Sequence, residues 1–248
     1  MERTINSGRT AFIRINSVTR CRENSGQGFT LIEILVAIFI LAIVTSLIMG
    51  VFDGIYGSAE RINLGTDLHE MANACLNRMT KDLESIHVTV YPRYKRPDID
   101  DEPEIYHIKG EKHSTGGQSF SWLRFTSMAH LPFNHQVQEG IAEIVYYVQQ
   151  TRENEFILRR SDTLYPYPEE FEERETDPIL CEHLKRFELV YFDVKGREYE
   201  EWDSESDELE FGTPRAIGIE LEVGTEEISY TFQTRVAVPV YRYQEIKR

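Results

Sequence analysis

The sequence predicts an α+β protein, with one long N-terminal helix packed on antiparallel β-sheet and the first half of that helix spanning a membrane. Three observations predict it. An almost wholly apolar run extends from Phe29 to Phe52, an apolar stripe at helical period follows it, and seven runs rich in β-branched and aromatic residues fill most of the remainder.

The elements follow in chain order. Residues 1–28 form a basic leader, with Arg3, Arg9, Arg14, Arg20 and Arg22 against Glu2 and Glu23. Basic residues on that flank hold it in the cytoplasm and send the chain beyond Phe52 across the membrane. The run at 29–52 rises about 1.5 Å per helical residue, enough to cross a hydrocarbon core of about 30 Å. It contains a single carboxylate, Glu33. A secretory signal peptide would be cut behind such a run, after small residues, and Thr45-Ser46 or Gly50 could mimic that site. The Gly28-Phe29 junction ahead of the run points instead to cleavage in front, which leaves the helix on the mature protein. Cys21 also precedes the run, which argues against a lipoprotein.

Residues 53–90 continue the helix in amphipathic form. Leu64, Leu68, Met71, Cys75, Met79, Leu83 and Ile86 recur at steps of three and four, which lines one face. Glu60, Asp67, Glu70, Asn77 and Lys81 occupy the other, and the helix is expected to end near Ile86. Gly50, Gly54, Gly57 and Gly65 weaken its middle. Residues 91–248 form the β-rich domain. Prolines 92, 97 and 103 and glycines 110, 116 and 117 make Tyr91–Gly117 read as one irregular loop. Strands are expected at Ser119–Thr126, Ile141–Gln149, Glu155–Arg160, Leu184–Val194, Arg197–Trp202, Ala216–Val223 and Glu227–Val238. Thr151–Asn154, Lys195-Gly196 and Gly224–Glu226 read as hairpin connections, and Ala129–Gln138 and Tyr165–Pro178 as longer loops.

Gly28-Phe29-Thr30-Leu31-Ile32-Glu33, joined to the apolar run and preceded by basic residues, resembles the prepilin peptidase site of type IV pilins and type II secretion pseudopilins. The resemblance implies a pilin-like fold, cleavage after Gly28, N-methylation of the new terminus at Phe29, and an assembly role for Glu33. In that family the glutamate is the fifth residue of the mature chain, and the functional reading is that Glu33 accepts the N-terminal amine of Phe29 from an adjacent subunit. Buried carboxylates in membrane helices are costly enough to need such a partner. The alternative is a carboxylate that snorkels to the headgroups.

The likeness extends further. Met79-Thr80-Lys81-Asp82-Leu83, Trp122–Thr126, Ile144–Val148 with Phe156–Arg160, Leu184–Asp193 with Gly196 and Trp202, and Thr213–Leu221 resemble in succession the J-type minor pseudopilin. Glu33 sets the chain apart from K-type subunits, which characteristically lack it. The resemblance implies an inner-membrane protein with a periplasmic C-terminal domain. It would join I- and K-type minor pseudopilins at a pseudopilus tip, above the major pseudopilin and the inner-membrane assembly platform, and could engage secreted exoproteins. A minor pilin of a type IV pilus, or a tip-located adhesive or substrate-binding module, is the alternative.

Other chemistry is sparse. The chain has 27 basic and 42 acidic residues, a net charge of −15 that repels nucleic acid. Asp98, Asp100, Asp101, Glu102 and Glu104 could chelate calcium, but EF-hand spacing is lacking, and a solvated loop is the simpler reading. The Glu169–Glu175 run reads the same way. His130 and His135 flank Pro132 without metal-ligand spacing, and neither a Gly-x-Ser-x-Gly elbow nor a phosphate-binding lysine loop occurs. No cofactor, metal or enzymatic activity is therefore expected. Cys75 on the helix stripe reads most simply as a small buried residue, with a bridge to Cys181 as the alternative.

Overall fold

The computed structural model describes residues 28–97, 104–131 and 139–242, and only the helical backbone at 53–61. Residues 1–27 with Cys21, the Asp98–Glu102 cluster, Pro103, Pro132 and His135 lie outside the described residues, as does the side chain of Glu60. The fold is α+β, as predicted: helix α1 (Leu31–Glu84) is followed by an antiparallel sheet. The chain forms two compact units, residues 1–56 and 57–248.

In the second unit the apolar stripe of α1 is buried at Leu68, Ala72, Cys75, Met79 and Leu83, while Asp67, Glu70, Asn77 and Lys81 are exposed. Each fully buried large apolar side chain of this kind stabilises the fold by about 1.5–3 kcal/mol. The helix stops at Glu84, slightly short of Ile86. There the chain is captured by the sheet: Ile86 bridges Ser127, and His87 N donates to Thr126 O at 2.9 Å.

The strands are β1 (Ile108–Thr115), β2 (Gln118–Ser127), β3 (Ala142–Gln150), β4 (Phe156–Leu164), β5 (Ile179–Phe192), β6 (Glu198–Tyr199), β7 (Trp202–Asp203), β8 (Ala216–Gly224) and β9 (Ser229–Ala237). Their order is β7-β1-β2-β3-β4-β5-β8-β9, with β6 beside β5. The three expected hairpins are present: β3–β4, β5–β6 and β8–β9.

Three features differ from expectation. Strand β1 lies inside the stretch read as one irregular loop. Its hairpin with β2 turns on Gly116 (φ 58°) and Gly117 (φ 85°), paired glycines that supply two consecutive left-handed residues at no steric cost. The run 197–202 splits in two, β6 pairing with β5 and β7 crossing to β1. Strand β5 begins at Ile179, ahead of Leu184. Its first residues pair irregularly with β4, and His183 takes φ 51°, so apolar alternation is broken there.

Central strand β3 is buried on both faces. Ile144, Tyr146 and Val148 join the core with α1, whereas Val145 and Tyr147 face outward with Trp122. The loop Tyr165–Pro178 covers that outer cluster. Phe171 packs edge-on against Tyr147 and Trp122, with ring centroids 5.0 and 6.1 Å apart. The glutamates around Phe171 are exposed, as expected, but the loop is pinned: Tyr147 Oη donates to Arg174 O at 3.1 Å and Arg124 Nη2 to Pro168 O at 2.8 Å.

Candidate processing and assembly site

Gly28, Phe29 and Thr30 are irregular and exposed, and α1 starts at Leu31. A Cβ built on Gly28 would meet nothing within 4 Å, so the described fold does not itself require glycine there. The side chain of Phe29 is 84% exposed. Thr30 and Glu33 form a reciprocal capping box. Glu33 Oε2 accepts from Thr30 N at 2.9 Å and Thr30 Oγ1 at 3.0 Å, and Glu33 N donates to Thr30 Oγ1 at 3.3 Å. The carboxylate thus satisfies a backbone donor at the helix start, where the helix dipole also favours negative charge.

The helix from Leu31 to Phe52 is long and apolar enough to cross a membrane, and none of it is buried within the protein. Leu31, Leu35, Phe39, Leu41, Leu47 and Met49 are all exposed, so apolar side chains cover the whole circumference and not one stripe. Such a surface suits lipid or neighbouring helices. Its one hydroxyl of note, Thr45 Oγ1, donates back to Leu41 O at 2.8 Å and so adds no unsatisfied donor.

In the second unit the densest polar constellation is a buried ion network at the end of α1. Asp82, fully buried, accepts from Arg160 Nε at 2.7 Å, Arg160 Nη2 at 3.1 Å and Arg78 Nε at 3.1 Å, and also from Tyr146 Oη. Arg160 Nη1 reaches Asp162 Oδ2 at 2.6 Å, and Asp162 in turn holds His130 Nδ1 at 2.6 Å. Burial and the Asp82 carboxylate push the Tyr146 phenol well above its ordinary range. Every acidic oxygen here is occupied by donors from protein side chains or backbone, so the network locks the helix to the sheet. Sequence reasoning does not find it. The available signal is Asp82 on the buried face of the stripe, between Met79 and Ile86, and Arg160 alternating in phase with Leu158.

Residues 24–49 match the family model for the prokaryotic N-terminal methylation motif. The chain carries a pilin-type N-terminus. That motif belongs to structural, non-enzymatic filament proteins, which prepilin peptidase processes and which assemble with other pilins. No curated protein matches the chain.

Gly28, Phe29 and Glu33 lie together at the start of α1 inside the pilin-type N-terminus. The other candidates drawn from the sequence are scattered: Glu104 binds locally, its carbonyl accepting from His107 Nδ1 at 2.9 Å, and His130 belongs to the ion network. Among the described residues no group of three or more His, Cys, Asp and Glu could hold a metal ion. A surface depression of about 520 Å³ beside Tyr106, Tyr165 and Tyr167, and one of about 410 Å³ beside Glu169–Arg174, bring no serine, cysteine or histidine together.

Proposed function

We propose that this chain is a J-type minor pseudopilin of the type II secretion system. Residues 1–28 are a leader removed after Gly28, and Phe29 becomes the methylated N-terminus. Residues 29–52 anchor the protein in the inner membrane, residues 53–90 continue the helix, and 91–248 form the periplasmic domain. The subunit joins I- and K-type partners in the pseudopilus tip complex, over the major pseudopilin and the assembly platform, initiating assembly and assisting export of exoproteins across the outer membrane.

The observation that carries this reading is Glu33, a carboxylate on an otherwise apolar, fully exposed helix that follows directly on Gly28-Phe29. Its capping bonds to Thr30 leave Glu33 Oε1 without a described partner, and the amine of a neighbour's Phe29 would complete it. An ion pair at low dielectric is steeply position-dependent, so it sets register even where it adds little net stability. The size of the β-rich domain and the order of its strand motifs support a minor, J-type subunit over the major one.

Co-expression of the tagged full chain with cognate I- and K-type subunits tests the reading. Recovery of a ternary complex from detergent-solubilised membranes is expected. Failure to recover it, with the chain found instead in surface fibres, would favour a minor pilin of a type IV pilus.

A further inference from the structure

Cys75 and Cys181 are far apart in sequence, yet both are buried in the main core, 1% and 0% exposed, as free thiols. Cys75 is on the sheet-facing side of α1, and Cys181 is in β5, paired across the sheet with Leu158. One turn before Cys75, Met71 Sδ accepts from Glu182 N at 3.2 Å, so α1 lies directly against this part of β5. The Cys181 side chain, with burial, raises the Cys75 thiol well above the ordinary thiol range, as expected of two neighbouring groups in one core.

We propose that Cys75 and Cys181 are joined by a disulfide in the mature protein, a covalent staple between α1 and the sheet. This rests on the reading above that the β domain lies outside the cytoplasm, where dithiols are oxidised. The same reading removes Cys21 with the leader, so no third cysteine competes.

The step is a thiol–disulfide exchange. One cysteine, as thiolate, attacks a protein or small-molecule disulfide and displaces one of its sulfurs. The second cysteine then attacks the mixed disulfide, forming the Cys75–Cys181 bond. Two electrons pass to the donor disulfide, which leaves as two thiols carrying the two protons. Buried thiols that resist ionisation are poor nucleophiles, so the exchange precedes closure of α1 on the sheet. Once formed, the bond is shielded from reductants by the same core.

The test uses the full chain in its own membrane. Cells are quenched in acid, the protein is denatured and alkylated with a maleimide before or after reduction, and its peptides are weighed. In parallel, protease is added to spheroplasts to report the side of the membrane on which the domain lies. A linked Cys75–Cys181 peptide is expected, with neither cysteine alkylated until reduction. In a Cys75→Ala chain, Cys181 should be alkylated without reduction, a result that does not depend on folding. Free thiols in a protease-accessible domain would overturn the staple and leave the topology standing. Free thiols in a protected domain would overturn both.

Discussion

Arg160 grips Asp82 with two donors, Nε at 2.7 Å and Nη2 at 3.1 Å, and so ties the last turn of α1 to strand β4. Both side chains are buried, 1% and 0% exposed. Desolvating two such charges costs several kcal/mol each, and their attraction repays this only with the remaining donors and acceptors satisfied. Here Arg78, Tyr146 and Asp162 supply those partners. Asp82→Ala leaves two guanidinium groups facing each other without their shared carboxylate, and should cost about 3–5 kcal/mol. Arg160→Met should cost less, because Asp82 keeps Arg78 and Tyr146. Urea unfolding followed by fluorescence of the buried Trp122 and Trp202 gives both values, and an Asp82→Ala cost below that of Arg160→Met would contradict the assignment.

That network shows where sequence reasoning stops. The stripe through Leu68, Cys75, Met79 and Leu83 is legible because helical period is a local property, and so are the apolar run around Ile144 and the alternating strand around Ile219. Strand β1 is not, because Lys109, Glu111, Lys112 and His113 give it a polar character, with only Ile108 and Gly110 buried. Its pairing with β2 and β7 supplies what its own residues lack. The Asp82–Arg160 pair joins residues far apart in the chain, and opposite charges are common enough that no single pairing stands out. The Gly28–Glu33 hexapeptide is legible for the contrary reason, since its chemistry is contained in neighbouring residues. Even there, a motif that points to intersubunit contacts conceals the Thr30 cap, a second use of the same carboxylate within one chain.

Gly110 and Tyr191 make a second test of packing. A Cβ on Gly110 would lie 1.8 Å from Tyr191 Oη, far inside contact distance. That hydroxyl is buried and makes no hydrogen bond among the described residues. Gly110→Ala should therefore destabilise the domain by about 1–3 kcal/mol through overpacking. Tyr191→Phe should be neutral or stabilising by up to about 1 kcal/mol, because it deletes an unsatisfied buried group. The double variant should recover much of the loss. Simple additivity of the two changes in thermal denaturation would show that the clash does not limit the site.

Acid should weaken the domain through His107. Burial lowers its pKa below the ordinary 6.5, against the opposing hydrogen bond to the Glu104 carbonyl. In the unfolded chain the imidazole binds a proton as the pH falls through 6.5, while in the folded chain it resists until lower pH. The unfolded state then holds more protons, so this contribution is complete above pH 6.5 and declines below it. His87, also lowered by burial, acts in the same direction. Glu143 and Glu205, raised by burial, act oppositely at lower pH. His107→Gln should therefore flatten the loss of stability as the pH falls from about 6.5 to about 5. Urea midpoints across that range would read it, and an unchanged slope would remove His107 as the cause.

The cap that Glu33 makes and the intersubunit pairing proposed for it can be separated, because glutamine caps a helix but carries no charge. In the described structure Glu33 accepts from Thr30 N and Thr30 Oγ1, bonds that the side-chain oxygen of a glutamine at the same position could also accept. An amine on a neighbouring Phe29 would distinguish them sharply, since a carboxylate pairs with it and an amide does not. Glu33→Gln should then behave like Glu33→Ala, with leader removal largely intact and recovery of the assembled complex reduced several-fold. Thr30→Ala removes only the cap, at a cost of about 0.5–2 kcal/mol, and should leave assembly closer to that of the unaltered chain. Quantitative pull-down of partner subunits from solubilised membranes compares the three variants. If Glu33→Gln assembled normally while Thr30→Ala failed, helix capping, and not charge pairing, would be the requirement at this position.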